Sequence, residues 1–224
     1  IPTPQEREKN LFSLIEKENL TQFDIQTSTF NIFSLQTNLN NCKNKDIKIY
    51  IEGDGLSWIS RNIVSSNPTP TNPIALKLML LDNSSCKVYL ARPCQYINSN
   101  SCEEKYWTSH RFNLKVIESY QEVGFKIALG NFGGNNCGFE YLKYLPINLV
   151  KFDIEFTKKI DDSRYQHLLG HYIELIQMLH IQSMVKFVDK EALLHKIKEF
   201  KPDFIQGFCI SKLKNLEQIL GEIK

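Results

Sequence analysis

The sequence contains no apolar run long enough to span a bilayer and no clear excess of charge of either sign. Its most apolar stretch, residues 74–81, is interrupted by Lys77, whereas a membrane helix needs about 20 apolar residues. The 27 basic and 25 acidic residues give a formal net charge of +2, which indicates no surface for a nucleic-acid polymer or a membrane. With 42% hydrophobic and 23% charged residues among 224, we expect a soluble globular protein with a buried core.

The chain also lacks any Cys-x-x-Cys pair, so its cysteines do not indicate a zinc site. We interpret most of them as unpaired thiols that pack as small apolar side chains. Cys94 and Cys102 are the exception, because they flank a short polar loop that a disulfide could close, and such a bridge would indicate an oxidising compartment. The six cysteines are at positions 42, 86, 94, 102, 137 and 209.

The first half of the chain predicts a mixture of strands and helices. One short helix is expected before Asn19. Residues 23–36 alternate apolar and polar side chains around a polar centre, which predicts an antiparallel hairpin. A buried strand, a helix and a second buried strand then follow, over residues 47–51, 73–81 and 87–91.

Gly53, Asp54 and Gly55 come directly after the first buried strand. Glycines at the carboxyl end of a strand let backbone amides face a ligand, as in an oxyanion hole. A plain strand-to-loop turn is the other interpretation, and this loop alone favours it.

Several segments of the first half occur in a characteristic order: Tyr50–Gly55, Ser57–Arg61, Asn67–Leu76, Val88–Tyr96, Cys102 and Trp107–Phe112. Together they resemble the N-terminal half of a bacterial α/β-hydrolase family over residues 23–119. The resemblance implies a serine hydrolase for esters or related acyl substrates, with its nucleophile on a Gly-x-Ser-x-Gly elbow.

That elbow is absent from the sequence. The nearest shape, residues 130–134, has Phe132 in place of the serine, and a phenyl ring cannot attack a carbonyl. A hydrolase would therefore need an unconventional nucleophile such as Ser211 or Cys137. The histidines that could be imagined as its base are better interpreted as surface or helix-cap residues, and they are His171, His180 and His195.

The second half begins with a predicted helix over residues 114–123, which ends at Gly124, and then alternates strands and helices. A strand over residues 125–129 leads through a glycine-rich turn into a helix near Phe139–Tyr144. Such alternation demands parallel pairing with right-handed crossovers, and it is typical of half of a (β/α)₈ barrel or of an open doubly wound sheet. Further strands are predicted over residues 148–153, 182–188 and 203–208, and further helices over 165–179, 190–200 and from Asn215 onward.

Four segments of this half, residues 124–134, 139–156, 185–193 and 202–212, keep the order and spacing of a second family. Over residues 114–213 the chain resembles the C-terminal half of the EAL-domain cyclic-di-GMP phosphodiesterases. The resemblance implies carboxylates at strand ends that hold Mg²⁺ or Mn²⁺, which activates water against a phosphodiester.

The metal ligands of that family are only partly kept here. Gly130 and Asn131 stand at its two metal-binding aspartates. Lys186 stands at the first glutamate of its Glu-Gly-Val-Glu stretch, where an ammonium would repel a divalent cation. The Glu-Ala-Leu signature, which belongs to an early strand, has no counterpart.

The resemblance nevertheless implies a set of ligand-binding residues. Lys151, Asp153 and Gln206 match the family, and Asp189 is a shortened stand-in for the second glutamate. With Asn131 they are the predicted ligand-binding residues. No catalytic residue is predicted, and no cofactor, unless a residual site still takes Mg²⁺ or Mn²⁺.

We interpret the chain as a splice of two half-domains, residues 1–112 and 113–224, joined into one domain. The predicted fold is α/β, a largely parallel sheet flanked by helices in three layers, with an antiparallel hairpin at the N-terminus. A partly closed (β/α) barrel is the alternative. A shared sheet would bring Asp54 to the same rim as Asn131, Asp153, Lys186 and Gln206, and exposed strand edges would favour a homodimer.

Three functions stay open at this point. The first is a catalytically silent EAL-like module that binds a cyclic dinucleotide or a protein partner. The second is a hydrolase with an unconventional nucleophile, and the third is a recombined or engineered scaffold without activity. The compartment is open too, since the EAL-like half indicates the cytoplasm whereas a Cys94–Cys102 disulfide would indicate export.

Overall fold

The computed structural model describes residues 1–16, 18–43, 45–134 and 138–212. The chain divides into two compact units, Ile1–Phe125 and Lys126–Lys224, and each is described by itself. Within the described ranges, no helix is both long enough and apolar enough to cross a membrane.

The first unit contains three α-helices and eight short strands among its described residues. The helices are α1 (Pro4–Ile15), α2 (Ile74–Leu81) and α3 (Leu114–Glu122). The strands are β1 (Thr21–Gln22), β2 (Ile25–Gln26), β3 (Asn31–Ile32), β4 (Ser34–Gln36), β5 (Lys48–Ile51), β6 (Trp58–Ser60), β7 (Ile63–Val64) and β8 (Lys87–Leu90). Short 3₁₀ turns cover Leu39–Cys42 and Glu104–Trp107.

The first unit has a mixed four-stranded sheet with the order β1-β4-β8-β5. Strand β8 pairs parallel to β5 and antiparallel to β4. The predicted hairpin is present, because Ile25 of β2 faces Ile32 of β3 in an antiparallel pair. The sheet buries Leu35 and Tyr89 against helices α1 and α2, whose Leu11, Leu76 and Met79 are at most 1% exposed.

Helix α3 belongs to the first unit, where it contacts the segment between β2 and β3. Thr27 donates a hydrogen bond to the Ser119 hydroxyl at 3.1 Å. Ser28 donates to Glu122 through its amide and its hydroxyl at 2.7 and 2.6 Å. Val116 packs in a cluster with Phe30 and the neighbouring aromatic residues.

The second unit carries four parallel strands in the order β12-β11-β10-β9. Its strands are β9 (Ala128–Phe132), β10 (Leu149–Phe152), β11 (Gln182–Val185) and β12 (Phe204–Ile205). Its helices are α4 (Glu140–Tyr144), α5 (Ile154–Lys158), α6 (Ser163–Met178) and α7 (Glu191–Glu199). The predicted last helix, from Asn215 onward, lies outside the described residues.

The core of the second unit lies between its sheet and helix α6. Strand side chains Phe132, Val150, Phe152 and Val185 are completely buried, as are Leu169, Ile173 and Ile176 of α6. The helix has these residues on one face, and its N-cap Asp162 accepts a hydrogen bond from the Arg164 amide at 2.9 Å. Burial of this apolar stripe holds the helix on the sheet.

The mixed α/β fold with a parallel sheet and helices is confirmed, but two finer predictions are wrong. The strands do not form one joint sheet, because β5 and β8 pair with β4 in the first unit while β9–β12 form a sheet of their own. The first barrel-type strand begins three residues later than predicted, since its pairing is set by Phe152 beside Phe132, whose ring is buried in the core.

Candidate functional site

The carboxyl-terminal edge of the β9–β12 sheet, which we call the rim, carries all five predicted ligand-binding residues. Because the strands are parallel, their carboxyl ends meet at one edge of the sheet, where ligands of open α/β sheets bind. The rim is defined here by Asn131, Lys151, Asp153, Lys186, Asp189 and Gln206.

Lys186 and Asn131 are in direct contact across the rim. The Lys186 ammonium donates a hydrogen bond to Asn131 Oδ1 at 2.8 Å. Asn131 has a φ of 56°, a left-handed conformation that asparagine tolerates better than most residues. The Lys186 carbonyl accepts from the buried Thr157 hydroxyl at 2.9 Å, so the loop that carries the ammonium is fixed to helix α5.

Asp153 is the N-cap of helix α5. Its Oδ1 accepts a hydrogen bond from the Glu155 amide at 2.9 Å, which satisfies one of the free donors of the helix start. Its other oxygen faces Gly134, where a Cβ would lie 2.8 Å from Oδ2. Glycine at position 134 therefore leaves room for this carboxylate at the rim.

Asp189 and Gln206 join the loop after β11 to the loop after β12. Asp189 Oδ1 accepts from the Phe208 amide at 2.8 Å. The Gln206 carbonyl accepts from the Val188 amide at 3.0 Å, and the Gln206 amide donates to the Val185 carbonyl at 2.9 Å. These contacts hold both loops in place without using the Gln206 side chain.

Lys151 lies on β10 beside Met184 of β11 and is half-buried. Among the described residues its ammonium makes no ion pair. The rim therefore presents two ammoniums, from Lys151 and Lys186. The Lys186 ammonium contacts the side-chain amide of Asn131 and the ring of Phe187.

The residues of the rim do not fit a divalent cation. In the part of the chain that the structure describes, no three His, Cys, Asp or Glu side chains are grouped so that they could hold a metal ion. The oxygen of Asn131 already accepts from an ammonium, and an ammonium at a metal position opposes a second positive charge.

The glycine loop of the first unit has the contacts of a strand-to-loop turn. Both oxygens of Asp54 are taken, by Arg92 and Arg111, at 2.7 Å each. The Gly53 carbonyl accepts from Gln95 Nε2 at 2.9 Å. Gly55 has a φ of 66°, and any Cβ there would collide with the Pro68 carbonyl. Asp54 belongs to the first unit, whereas the residues that define the rim belong to the second.

Two disulfides are formed in the first unit, Cys94–Cys102 and Cys42–Cys86. The interpretation of Cys42 and Cys86 as unpaired thiols is therefore wrong. They are 44 residues apart, and only the fold brings the 3₁₀ turn at Leu39–Cys42 beside the start of β8.

The described contacts of Ser211 do not place it beside a histidine that could act as its base. The Ser211 hydroxyl is exposed and donates to the Lys212 carbonyl at 3.2 Å, and Cys137 lies outside the described residues. His171 is exposed and lies 3.5 Å from Glu174, while His180 has a φ of 58° just after helix α6. No described contact joins Ser211 to His171, His180 or His195.

A groove between helices α5 and α7 is a feature that sequence reasoning missed. It has a volume of about 470 Å³, within the range of about 300–1,000 Å³ common for ligand sites. Phe187, 47% exposed with a φ of 62°, is one of its lining residues. The signal in the sequence was Phe187 itself, since it stands at the glycine of the Glu-Gly-Val-Glu stretch.

Comparison with known proteins relates the chain to one family. The EAL domain profile matches residues 101–213, which is half of the chain and includes helix α3 and the whole described sheet of the second unit. The cyclic di-GMP phosphodiesterase PdeA of Borreliella burgdorferi is 29% identical over 210 residues, covering 90% of this chain and 28% of that protein. The cyclic di-GMP phosphodiesterase PdeB of Shewanella oneidensis is 23% identical over 104 residues, covering 46% of this chain and 12% of that protein.

Solved structures show a partial likeness of the same kind. The EAL enzyme Bd1971 in its cGMP-bound form has a TM-score of 0.48 at 22% identity, covering 54% of this chain and 32% of that one. A manganese and cyclic-di-GMP complex of BlrP1 from Klebsiella pneumoniae has a TM-score of 0.42 at 21% identity, covering 47% of this chain and 27% of that one. The assignment to a family rests on the sequence match over residues 101–213.

The chain belongs to the EAL domain family. It spans little more than a quarter of the length of the Borreliella relative and less of the Shewanella one. The alignment with the Borreliella protein runs through both halves of the chain, so the comparisons give no support to a hydrolase half or to a splice.

Proposed function

We propose that this chain is a catalytically silent EAL module whose rim binds a cyclic dinucleotide without a divalent metal. The observation that carries the proposal is the Lys186 ammonium, 2.8 Å from Asn131 Oδ1, at the place where the family resemblance puts metal ligands. The relatives named above are cyclic di-GMP phosphodiesterases, which supports this class of ligand.

An ammonium can take over one of the two tasks of a metal ion. A divalent cation both attracts the phosphodiester and activates the attacking water. Lys186 and Lys151 supply positive charge for the first task, because a lysine binds phosphate as a point charge. Neither lysine lowers the pKa of a bound water as a metal does, so binding without hydrolysis is the expected outcome.

The polar residues of the rim suit the rest of such a ligand. The Gln206 side chain makes no described hydrogen bond within the protein, and it can donate to and accept from a base edge. Asp153 uses one oxygen for the cap of α5 and keeps the other for a donor on the ligand. Both Gln206 and Asp153 are among the residues that the family resemblance assigns to ligand binding.

A thermal melt with and without cyclic-di-GMP, each in Mn²⁺ or in EDTA, tests the proposal. A ligand that binds only the native state raises the melting temperature by mass action. We expect the same rise in EDTA as in Mn²⁺, and no release of a linear dinucleotide from the mixture. Hydrolysis in Mn²⁺ would refute catalytic silence, and no rise in either buffer would refute binding and turn attention to a protein partner.

Two variants make the test specific. Lys151→Met keeps the length and apolar stem of the side chain and removes its charge. Asp153→Asn keeps a good helix N-cap and removes a carboxylate from the rim. Each variant should reduce the rise in melting temperature that the ligand causes, without lowering the melting temperature of the free protein. The control Lys143→Met, on helix α4, should change neither of these two quantities.

A further inference from the structure

The groove between helices α5 and α7 carries a binding surface that the rim does not explain. Its apolar lining includes Ile160, Leu193 and Phe187. Charged side chains complete it, three of them lysines: Lys158, Lys190, Lys196, Asp161 and Asp189.

Phe187 is held in a backbone conformation that costs free energy. Its φ of 62° lies in the left-handed region, which is unfavourable for a bulky side chain. Despite this cost, 47% of the ring is exposed, so core packing does not account for the residue. Strain of this kind, when the surroundings enforce it, is a sign of a functional position.

The surroundings do enforce it. On one side of Phe187, Thr157 donates to the Lys186 carbonyl at 2.9 Å. On the other side, Val188 is fully buried, and its amide donates to the Gln206 carbonyl at 3.0 Å. The backbone at Phe187 is thus fixed, and its ring lines the groove. The Lys186 ammonium lies 5.7 Å from the ring centroid, which leaves the opposite ring face for a flat partner.

The charges of the groove are unevenly satisfied. Lys196 is paired with Asp161, and Asp189 accepts from the Phe208 amide. Within the described residues, neither Lys158 nor Lys190 has an ion-pair or hydrogen-bond partner for its ammonium. An aromatic face and two free ammoniums together match a ligand that is flat at one end and anionic at the other.

We infer that this groove binds a nucleoside monophosphate, with its base stacked on Phe187 and its phosphate held by Lys158 and Lys190. Base stacking on an aromatic side chain tolerates different bases, and lysines are common phosphate partners. The carboxylates of Asp161 and Asp189 line the same groove and are acceptors for sugar hydroxyls. The inference goes beyond the proposed function, because it places the base and the phosphate on Phe187, Lys158 and Lys190, which are not rim residues. Asp189 is the one rim residue that it uses.

Isothermal titration of the whole chain with GMP and AMP tests the inference, with guanosine and ribose 5-phosphate as half-ligands. Both nucleotides should bind, and each half-ligand should bind at least about tenfold more weakly, since it lacks either the phosphate or the base. Absence of GMP and AMP binding at millimolar concentration would overturn the inference, and so would binding of ribose 5-phosphate as tight as that of GMP.

Phe187→Gly is the sharpest variant, because glycine adopts the left-handed conformation without strain and should leave the protein folded. It should lower the affinity for GMP about tenfold, a loss within the range for one stacked base. The Phe187→Tyr variant should bind GMP as tightly as the parent does. Unchanged GMP affinity in a folded Phe187→Gly protein would overturn the inference.

The charge of the groove needs a matched pair of variants. The double variant Lys158→Gln/Lys190→Gln should lower the affinity for GMP about tenfold and make this affinity less dependent on salt concentration. Lys198→Gln lies on the same helix α7 but outside the groove, and it should change nothing. Lys151→Met should also leave GMP binding intact, so failure at the rim and failure at the groove can be told apart.

Discussion

Charged side chains at the carboxyl-terminal edges of the two sheets differ in whether they are paired. In the first unit, after β5 and β8, Asp54 lies between two guanidiniums at 2.7 Å each, and both guanidiniums lie over the Phe112 ring at 5.6 and 5.1 Å. In the second unit, Lys151 on β10 has no ion-pair partner among the described residues. An edge whose charged side chains are paired supports the fold, whereas an edge with an unpaired charge is available for a ligand.

The two units also differ in how they are crosslinked. Both disulfides lie in the first unit, and Cys209 of the second unit is a free thiol. The first unit is thus crosslinked by two disulfides, while the described part of the second unit is held by noncovalent contacts. These contacts include the packing between its sheet and its helices and the ion pairs of Glu155, Asp161 and Asp162.

Breaking the crosslinks should give the largest effect. In the loop-entropy account, a bridge that closes 44 residues stabilises by about 4 kcal/mol and one that closes 8 residues by about 2.5 kcal/mol. We expect Cys42→Ser/Cys86→Ser to lower the free energy of unfolding more than Cys94→Ser/Cys102→Ser. Both tryptophans, Trp58 and Trp107, lie in the first unit, so denaturant unfolding followed by tryptophan fluorescence measures this difference.

The reverse order, with the short bridge contributing more, would show that loop length does not decide the stability of this unit. Cys209→Ser is the control, and it should leave the fluorescence-detected transition unchanged.

Acid should weaken the first unit through Asp82. Hydrogen bonds from Tyr50 and from Lys48 lower the pKa of this carboxyl well below its usual range. Because the folded pKa lies below the unfolded one, the stabilisation is present above about pH 4 and is lost as the pH falls. Asp82→Asn should therefore cost about 1.5 kcal/mol at pH 7, and the difference should shrink toward pH 2 in urea titrations.

The same contact acts at the alkaline end of the pH range. The hydrogen bond to Asp82 raises the pKa of Tyr50 to about 12, so its contribution is present below about pH 10 and is lost as the pH rises toward 12. Tyr50→Phe should remove this alkaline loss. A difference in the free energy of unfolding between Asp82→Asn and the parent that stayed constant down to pH 2 would contradict this role of Asp82.

Removing one positive charge from each sheet edge should give the smallest effect and the most direct contrast. Arg92→Met removes an ion pair, a hydrogen bond to the Arg111 carbonyl and a cation–π contact, so we expect a loss of about 1 kcal/mol. Lys151→Met removes no described partner and should stay within about 0.5 kcal/mol. Chemical denaturation of both variants measures the difference, and equal losses would contradict the contrast between the two edges.

Local signals in the sequence were sufficient for most helices. Helix α3 begins where the Asn113 side chain accepts from the Lys115 amide at 3.1 Å, and α2 begins directly after Pro73. Such caps act within a few residues, so their positions can be predicted from the sequence. Strand pairing depends on contacts far apart in the chain, and for that reason the division into two sheets was missed.

The candidate site was predictable only where it follows the family resemblance. The resemblance indicated Asn131, Lys151 and Asp153, and the structure shows what the sequence could not, namely that Lys186 donates to Asn131 and that Asp153 caps a helix. The groove could not be predicted from the sequence, because its lining comes from two helices and a loop that are separated along the chain. The left-handed conformation of Phe187 is likewise visible only in the folded backbone.

The central claim is that an ammonium replaces a metal ion at the rim, and titration calorimetry with cyclic-di-GMP in EDTA tests it most directly. The account predicts binding in EDTA that is as tight as in Mn²⁺ and that is weakened at least about tenfold in Lys186→Glu, where a carboxylate replaces the ammonium and repels the phosphodiester. Binding that appears only in Mn²⁺, or that strengthens in Lys186→Glu without metal, would contradict it.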